Sequence, residues 1–537
     1  MEMEFGGYKA RRSTNCFVWH WTTSKLRDAL SMAVLAAAVA LPAAARPASN
    51  HLETAVQLIS QGDLDGAEKE ARLALNSPEE RAPAWGILGT IRVQQKKYDE
   101  SVEFLRKAID LNPRLVGARL TLGGVYILQG KKDTARQMFS EALRLDPANI
   151  NARLDLAHLE CEAGNFRASL DTANPIVPDL SRSPEGLVLL ATNYSGLRQT
   201  NDLAGLVAEW KALGGAPPEL TAAFASALIS GGLGSQAVEV LEAARDINPK
   251  SSALAFALGR AYVLTNNLEM AELNFQSALT LNPVCLACNL EIARIAEQKG
   301  ISEKALAYLV KARQLAPEDP EVLFQFGKVC LERNLLDDAI PALQKAIALR
   351  PDRDEYVYYL GSANVASQKY TEAASIYGQL LNKHPEDAGL NYAMGVVNFL
   401  LGKYQEAEAS FSRSVQAQPD QMITYYYLGR TYDAQGQDEK AVTTLQDLLK
   451  RHPEHGPSHV LLGTILVRQH KYEEARPELE RAISLEPDSV QAHLQMGMLL
   501  RRTGKTTESN EQLALAKKLE TERRSKVGLR LHLLLPE

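Results

Sequence analysis

Small, apolar and proline positions recur along this chain with a period of 34 residues. From Pro147 to Pro249 the interval is 102 residues, which is three periods, so the register is kept where the signal fades. The prolines in this register are Pro113, Pro147, Pro249, Pro283, Pro317, Pro351, Pro385, Pro419, Pro453 and Pro487. A fixed period of this length is typical of stacked structural repeats.

The small residues of each period predict two helices that cross at close range. If repeats begin at residues 48, 82, 116 and every 34 residues to 490, position 8 is Gly or Ala in all fourteen repeats, and position 20 is small in all but one. Helix axes can approach closely only where side chains are small. Proline at position 32 cannot continue the second helix. The sequence therefore predicts an all-α chain of about fourteen helix-turn-helix hairpins.

These residues resemble the pattern of the tetratricopeptide repeat (TPR) family, and the N-terminus described below makes the chain similar to exported bacterial TPR proteins. The second full repeat matches the pattern closely, with Leu122, Gly123, Tyr126, Ala135, Phe139, Ala142 and Pro147. The resemblance covers about residues 48–523. It implies a right-handed α-solenoid in which the first helix of each hairpin lines a concave groove, and it implies partner polypeptides bound in that groove.

One segment, between Asn151 and Pro218, departs from the pattern. Its closing proline is lost, Pro175 and Pro178 interrupt the helices, and Trp210 stands where Ala is usual. A bend in the stack and two degenerate repeats with normal packing are both compatible with this segment. The predicted organisation is a leader or anchor at 1–45, N-terminal repeats at 46–149, divergent repeats at 150–217, a regular array at 218–523 and a tail at 524–537.

The N-terminus has the features of a secretory signal. Lys25 and Arg27 precede an apolar run over residues 29–41, and Ala43 to Ala45 supply an Ala-x-Ala cleavage site. Export to the periplasm, the cell envelope or the medium is therefore predicted, with cleavage after Ala45. The run is shorter than the roughly 20 residues that span a bilayer. An uncleaved segment that tethers the chain to the inner membrane is the alternative.

Composition excludes some classes of function. The chain has 537 residues, of which 45% are apolar and 23% charged, which is typical of a folded protein. A net charge of −6 gives no general attraction to nucleic acid. Cys285 and Cys288 form a Cys-x-x-Cys motif without the second pair of a zinc site, and whether they pair stays open. His452, His455 and His459 cluster without an evident fourth ligand. No metal, cofactor or catalytic constellation is predicted.

A candidate binding surface lies on the first helices. Position 5 is rich in aromatic residues over six successive repeats, and position 9, one turn further on the same face, is often basic. Aromatic and arginine side chains are frequent binding hot spots. The candidate partner-binding groove consists of Phe256, Arg260, Leu290, Arg294, Phe324, Lys328, Tyr358, Tyr392, Tyr426 and Arg430. These side chains are expected to face the groove and not the hairpin core.

A protein or peptide partner in this groove, and no enzymatic activity, is the leading prediction. Successive cations at position 9 would repel unless partner carboxylates, or nearby acids such as Glu297 and Glu332, offset them. An acidic partner segment that docks on Arg260, Arg294 and Lys328 is therefore expected. Two alternatives stay open. The position-5 rings serve packing, or the groove binds a polyanionic or polysaccharide ligand during polymer assembly or export.

Overall fold

The computed structural model describes residues 51–525, and every regular element in this part is a helix. Most of the helices come in pairs at the 34-residue interval. In chain order the α-helices are α1 (His51–Gln61), α2 (Leu64–Ala74), α3 (Arg81–Gln94), α4 (Tyr98–Leu111), α5 (Val116–Leu128), α6 (Lys132–Leu145), α7 (Ile150–Glu162), α8 (Phe166–Ala173), α9 (Val177–Leu180), α10 (Pro184–Gly196), α11 (Thr200–Ala212), α12 (Pro218–Ser230), α13 (Gly234–Ile247), α14 (Ser252–Leu264), α15 (Leu268–Leu281), α16 (Leu286–Gln298), α17 (Ser302–Leu315), α18 (Pro320–Glu332), α19 (Leu336–Leu349), α20 (Asp354–Ala366), α21 (Tyr370–Lys383), α22 (Ala388–Leu400), α23 (Tyr404–Ala417), α24 (Met422–Ala434), α25 (Asp438–Arg451), α26 (Gly456–Arg468), α27 (Tyr472–Leu485), α28 (Val490–Arg502) and α29 (Thr506–Ser525).

Helix starts follow the repeat register because capping residues recur with it. From residue 116 on, each first helix begins at position 1 of the predicted repeat. At position 34 of the preceding repeat, a side-chain oxygen often accepts a hydrogen bond from the N–H at position 3. Asn149, Ser183, Ser251, Asp319 and Asp387 act in this way. Such caps satisfy one of the orphan donors of a helix N-terminus.

The two helices of a hairpin cross at the small residues. The position-20 residues Ala271 and Ala373 are fully buried. At position 8, a Cβ added to Gly395 would lie 2.6 Å from the ring of Phe411 at position 24. Glycine therefore allows the ring to lie directly on the first helix. The predicted crossing of two helices at small residues is confirmed.

The described chain divides into two compact units, one ending at Pro283 and the other beginning at Val284. Within the N-terminal unit, one buried apolar cluster continues from Ala157 to Ala261 and runs through the divergent segment. There Pro175 and Pro178 lie where a second helix would continue, and α8 gives way to a 3-10 turn and the short helix α9.

The divergent segment keeps its apolar packing. Trp210, at the position where other repeats have Ala, is buried and stacks on Phe224 with ring centroids 4.2 Å apart. The larger side chain thus fills space at the junction of α11 and α12. These two repeats pack as part of the continuous core, whereas the domain boundaries at residues 149 and 217 stay a prediction.

The predicted leader or anchor at residues 1–45 lies outside the described residues, as does nearly all of the predicted tail. Between residues 51 and 525, no helix is both long and apolar enough to cross a membrane.

Candidate functional site

The six position-5 side chains of the candidate groove differ in exposure. Phe256, Leu290 and Tyr426 are partly buried. Phe324, Tyr358 and Tyr392 are only 2%, 3% and 8% exposed. The expectation that these side chains are open to a partner is wrong for the latter three.

Those three rings are buried because they pack within and between neighbouring hairpins of the C-terminal unit. Phe324 stacks on Tyr356 of the next hairpin, with centroids 4.5 Å apart. Tyr358 packs on Tyr377 of its own second helix at 5.5 Å. Burial raises the pKa of Tyr358 and of Tyr392 far above the ordinary tyrosine value. Their main role is therefore packing, which is the alternative that the sequence left open.

Two candidate residues, Phe256 and Arg260, belong to the N-terminal unit. Phe256 packs on Phe275 with centroids 5.5 Å apart. Arg260 donates a hydrogen bond from Nη1 to Ser226 Oγ at 3.3 Å. The other eight candidate residues belong to the C-terminal unit.

The cations at position 9 of the C-terminal unit already have partners. Arg294 is exposed and forms an ion pair with Glu291 on its own helix. Lys328 Nζ lies 3.4 Å from Glu297 Oε2 on the preceding first helix. Glu297 therefore offsets Lys328. Together these pairs leave no free cationic row on this face.

Arg430, the last candidate cation, lies over aromatic rings. Its guanidinium carbon is 4.9 Å from the ring centroid of Phe399 and 5.4 Å from that of Tyr427. Tyr426, at position 5, is 5.8 Å away. Such cation–π contacts stabilise the charge within the protein. Arg430 thus joins α22 and α24.

Three glutamates surround Lys328 on successive first helices. We call Glu297, Lys328, Glu332, Glu355 and Tyr359 the Lys328 patch. Burial raises the pKa of Glu332, which Lys328 opposes and Glu297 increases. Burial likewise raises the pKa of Glu355, which is opposed first by Arg353, whose guanidinium lies 3.4 Å from the Glu355 carboxylate, and then by Lys328. Three acids therefore face two cations, Lys328 and Arg353, and the group keeps a net negative charge when all five are ionised.

Tyr359 lies among these acids. Burial raises its pKa above the ordinary tyrosine value, and the charges of Glu355, Glu332 and Glu297 raise it further. Its ring also makes an edge contact with Phe324, with centroids 5.3 Å apart. The patch thus combines a partly buried phenol with carboxylates. Sequence reasoning missed Glu355 and Tyr359, although positions 2 and 6 lie on the same helix face as position 9.

The three clustered histidines do not converge. His455 caps α26 by accepting from the Ser458 N–H, and His452 lies 3.5 Å from Glu454. Burial acts to lower the pKa of His459, but hydrogen bonds to Glu478 and to a backbone carbonyl raise it overall. Among the described residues, no three His, Cys, Asp or Glu side chains are arranged to hold a metal ion.

Two partly buried titratable groups lie in the divergent segment of the N-terminal unit. Burial raises the pKa of Asp155 to about 7. Burial lowers the pKa of His158 to about 4, although the charge of Glu185 opposes this. Neither residue stands out in the sequence, since its burial depends on the neighbouring helices.

The repeated hairpins, joined at small residues and capped in register, define an all-α solenoid. Tetratricopeptide repeat models match residues 82–115, 129–191, 253–285 and 460–518. The model of the middle TPR-like domain of cilia and flagella-associated protein 70 matches residues 289–449. The chain belongs to the tetratricopeptide repeat family.

Solved structures with similar hairpins are distant from this chain. YrrB, described as a TPR protein with an unusual peptide-binding site, is 20% identical over 35% of this chain and 96% of its own, with a TM-score of 0.32. A tetratricopeptide repeat protein from Parabacteroides merdae is 17% identical over 50% and 98%, with a TM-score of 0.40. Yeast Tom70 is 15% identical over 83% and 97%, with a TM-score of 0.34. No curated protein sequence matches. Similarity at this level carries no argument about function.

Proposed function

We propose that this chain is a non-catalytic scaffold that binds partner polypeptides on the first helices of its C-terminal unit. Membership of the TPR family supports protein binding as the general role. The Lys328 patch is the observation that carries the finer proposal, because it offers half-buried charge beside apolar and aromatic surface. Of the predicted groove residues, Leu290, Arg294, Lys328, Tyr426 and Arg430 keep exposed surface there.

The charge of the patch indicates the chemistry of the partner. Burial disfavours the ionised forms of Glu332 and Glu355. A lysine or arginine side chain brought beside them would favour ionisation and gain a charge-assisted hydrogen bond. The partner is therefore a segment with a basic side chain next to apolar ones. This replaces the acidic segment expected from the sequence, because Arg294 and Lys328 are already paired.

The same charge disfavours the alternative ligand. A polyanion or acidic polysaccharide laid on this face would meet the glutamates of the Lys328 patch, and like charges that are brought together cost free energy. Nothing in the described residues favours that ligand over a polypeptide.

Selection from a displayed library of random peptides tests the proposal on the full chain. We expect the selected peptides to carry Lys or Arg beside apolar residues. Substitution Glu332→Gln should weaken their binding and flatten its salt dependence, because screening acts on the lost charge pair. The matched control Arg294→Gln removes an exposed charge outside the patch and should change binding little. Selection of acidic peptides whose binding is weakened by Arg294→Gln would refute the proposed chemistry.

We also propose that the chain works in the cell envelope after export. The support is Lys25, Arg27, the apolar run and the Ala43 to Ala45 site. N-terminal sequencing of the mature protein should begin near Arg46. Full-length chain in the membrane fraction would indicate an uncleaved anchor, and full-length chain in the cytosol would refute export.

A further inference from the structure

Cys285 and Cys288 form a disulfide at the N-terminus of α16 in the C-terminal unit. Cys285 is the capping residue of this helix, and its Sγ accepts a hydrogen bond from the Cys288 N–H at 3.1 Å. Cys285 is partly exposed, whereas Cys288 is fully buried. One residue of the pair is therefore partly open to solvent and the other is enclosed.

Other repeats show that this disulfide is dispensable for forming a hairpin. The residue equivalent to Cys285 is Ser251 or Asp319 in the adjacent repeats, where an oxygen caps the helix in the same way. Ala152 and Val322 are equivalent to Cys288, and both are fully buried apolar side chains. The sulfurs thus occupy ordinary capping and core positions. The hairpin can therefore form without the bond between them, so the disulfide is not required for the fold of the repeat.

The position of Cys285 gives its sulfur a distinct chemistry after reduction. A helix N-terminus carries partial positive charge and free N–H donors, which favour a thiolate over a thiol. The Cys288 N–H already points at this sulfur. Cys288, enclosed in the core, has no comparable access to a reagent. Reactivity is therefore concentrated on one of the two sulfurs.

We propose that this pair is redox-active and exchanges its disulfide with a dithiol of a partner protein through Cys285. A partner thiolate attacks Cys285 Sγ and forms a mixed disulfide, while the bond to Cys288 breaks and the Cys288 thiolate takes a proton from solvent. The second partner thiolate then attacks the partner sulfur and releases the Cys285 thiolate at the helix N-terminus. The partner loses two electrons and becomes a disulfide, and the pair gains them as a dithiol. This activity is independent of the peptide-binding proposal.

The first test uses the full chain in glutathione buffers, with alkylation and peptide mapping. Excess reduced glutathione should open the pair while the far-UV circular dichroism stays that of the folded protein. In Cys288→Ala, oxidised glutathione should form a stable mixed disulfide on Cys285, since the resolving sulfur is gone. The control Cys285→Ser should form none at this site. Both variants should fold, because Ala152 and Ser251 occupy the equivalent positions in other repeats.

The second test measures the rate at which iodoacetamide alkylates the reduced, folded protein at neutral pH. For a thiol whose pKa lies above the pH of the solution, each unit by which the pKa falls raises the thiolate fraction about tenfold. The same fall in pKa lowers the nucleophilicity of the thiolate about threefold. Cys285 should therefore react about threefold or more faster than the same thiol in a peptide of residues 280–292. Burial raises the pKa of Cys330 to about 12, so it should stay unmodified as an internal control.

Two results would overturn the proposal. A pair that stays oxidised in reduced glutathione until the helix signal is lost would be a purely structural disulfide. A reduced Cys285 that reacts no faster than the peptide thiol, or more slowly than Cys288, would show that the helix N-terminus does not activate it.

Discussion

The contact between positions 8 and 24 limits the size of both residues, and Gly395→Ala tests this limit. The new Cβ would lie 2.6 Å from the ring of Phe411, which is fully buried, so the ring must shift within the core. Overpacking of this kind costs about 1 to 3 kcal/mol. Alanine regains about 1 kcal/mol of helix propensity over glycine. We therefore expect a net destabilisation on the order of 1 kcal/mol.

The chain itself supplies the compensating change. Where position 8 is Ala, position 24 is smaller than an aromatic ring, as in Ala225 with Leu241 and Ala293 with Leu309. Phe411→Leu alone should cost about 1 to 2 kcal/mol, through lost contacts and residual space. Combined with Gly395→Ala it should cost less than the sum of the two changes. A coupling of about 1 kcal/mol lies within the range found for residues in contact.

Native-state amide exchange is the suitable assay, because repeat arrays do not unfold in a single two-state step. Exchange from α22 and α23 reports the free energy of opening of this hairpin. A cost of about 1 kcal/mol should speed exchange roughly fivefold in Gly395→Ala, and the double variant should slow it again relative to the additive expectation. Unchanged exchange in Gly395→Ala, or strict additivity in the double variant, would refute the packing limit.

Three further changes follow from burial and backbone geometry. Tyr358→Ala should remove about 3 to 5 kcal/mol from the C-terminal unit, and an unchanged melting curve would contradict its place in the core. Gln368→Gly should stabilise its hairpin by about 1 kcal/mol, because Gln368 has a φ of 59° in the left-handed region, and faster amide exchange would count against this. Burial raises the pKa of Asp155 to about 7, so the folded state favours the protonated acid and loses stability as the pH rises from about 4 to about 7. Asp155→Asn should therefore melt at a higher temperature than wild type at pH 8 but not at about pH 4. An equal difference in melting temperature at both pH values would show that the ionisation of Asp155 is not its cause.

The helix boundaries could be predicted from the sequence because they follow from local steric rules that most repeats obey. A small residue that admits a large side chain, as at Gly395, and a proline that ends a helix recur in most periods. Burial at position 5 could not be predicted in this way. Tyr358 and Phe324 lie between the groove and the core, and their exposure depends on what the next hairpin packs against them. Tyr356, which stacks on Phe324, has no counterpart in the repeat pattern.

The charge of the candidate site was mispredicted for a similar reason. Read along position 9, the first helices look basic because Arg294 and Lys328 recur there. Two of the acids near Lys328, Glu297 and Glu355, come from the first helices of the neighbouring hairpins, so only the stacking of the hairpins shows the total charge of the patch. The Cys-x-x-Cys spacing likewise leaves pairing open. The two sulfurs meet only when Cys285 caps the helix and Cys288 packs into the core, and the spacing alone shows neither.

The placement of tryptophan separates the two units optically. All four tryptophans of the chain precede Val284. Of these, Trp210 is buried against Phe224 in the N-terminal unit, while the aromatic core of the C-terminal unit consists of tyrosine and phenylalanine. Indole emission from the unmodified protein is therefore blind to the C-terminal unit. A loss of helical ellipticity without a change in that emission would identify opening of the hairpins beyond Pro283. One denaturant titration followed by both circular dichroism and indole fluorescence therefore reports the order in which the two units unfold.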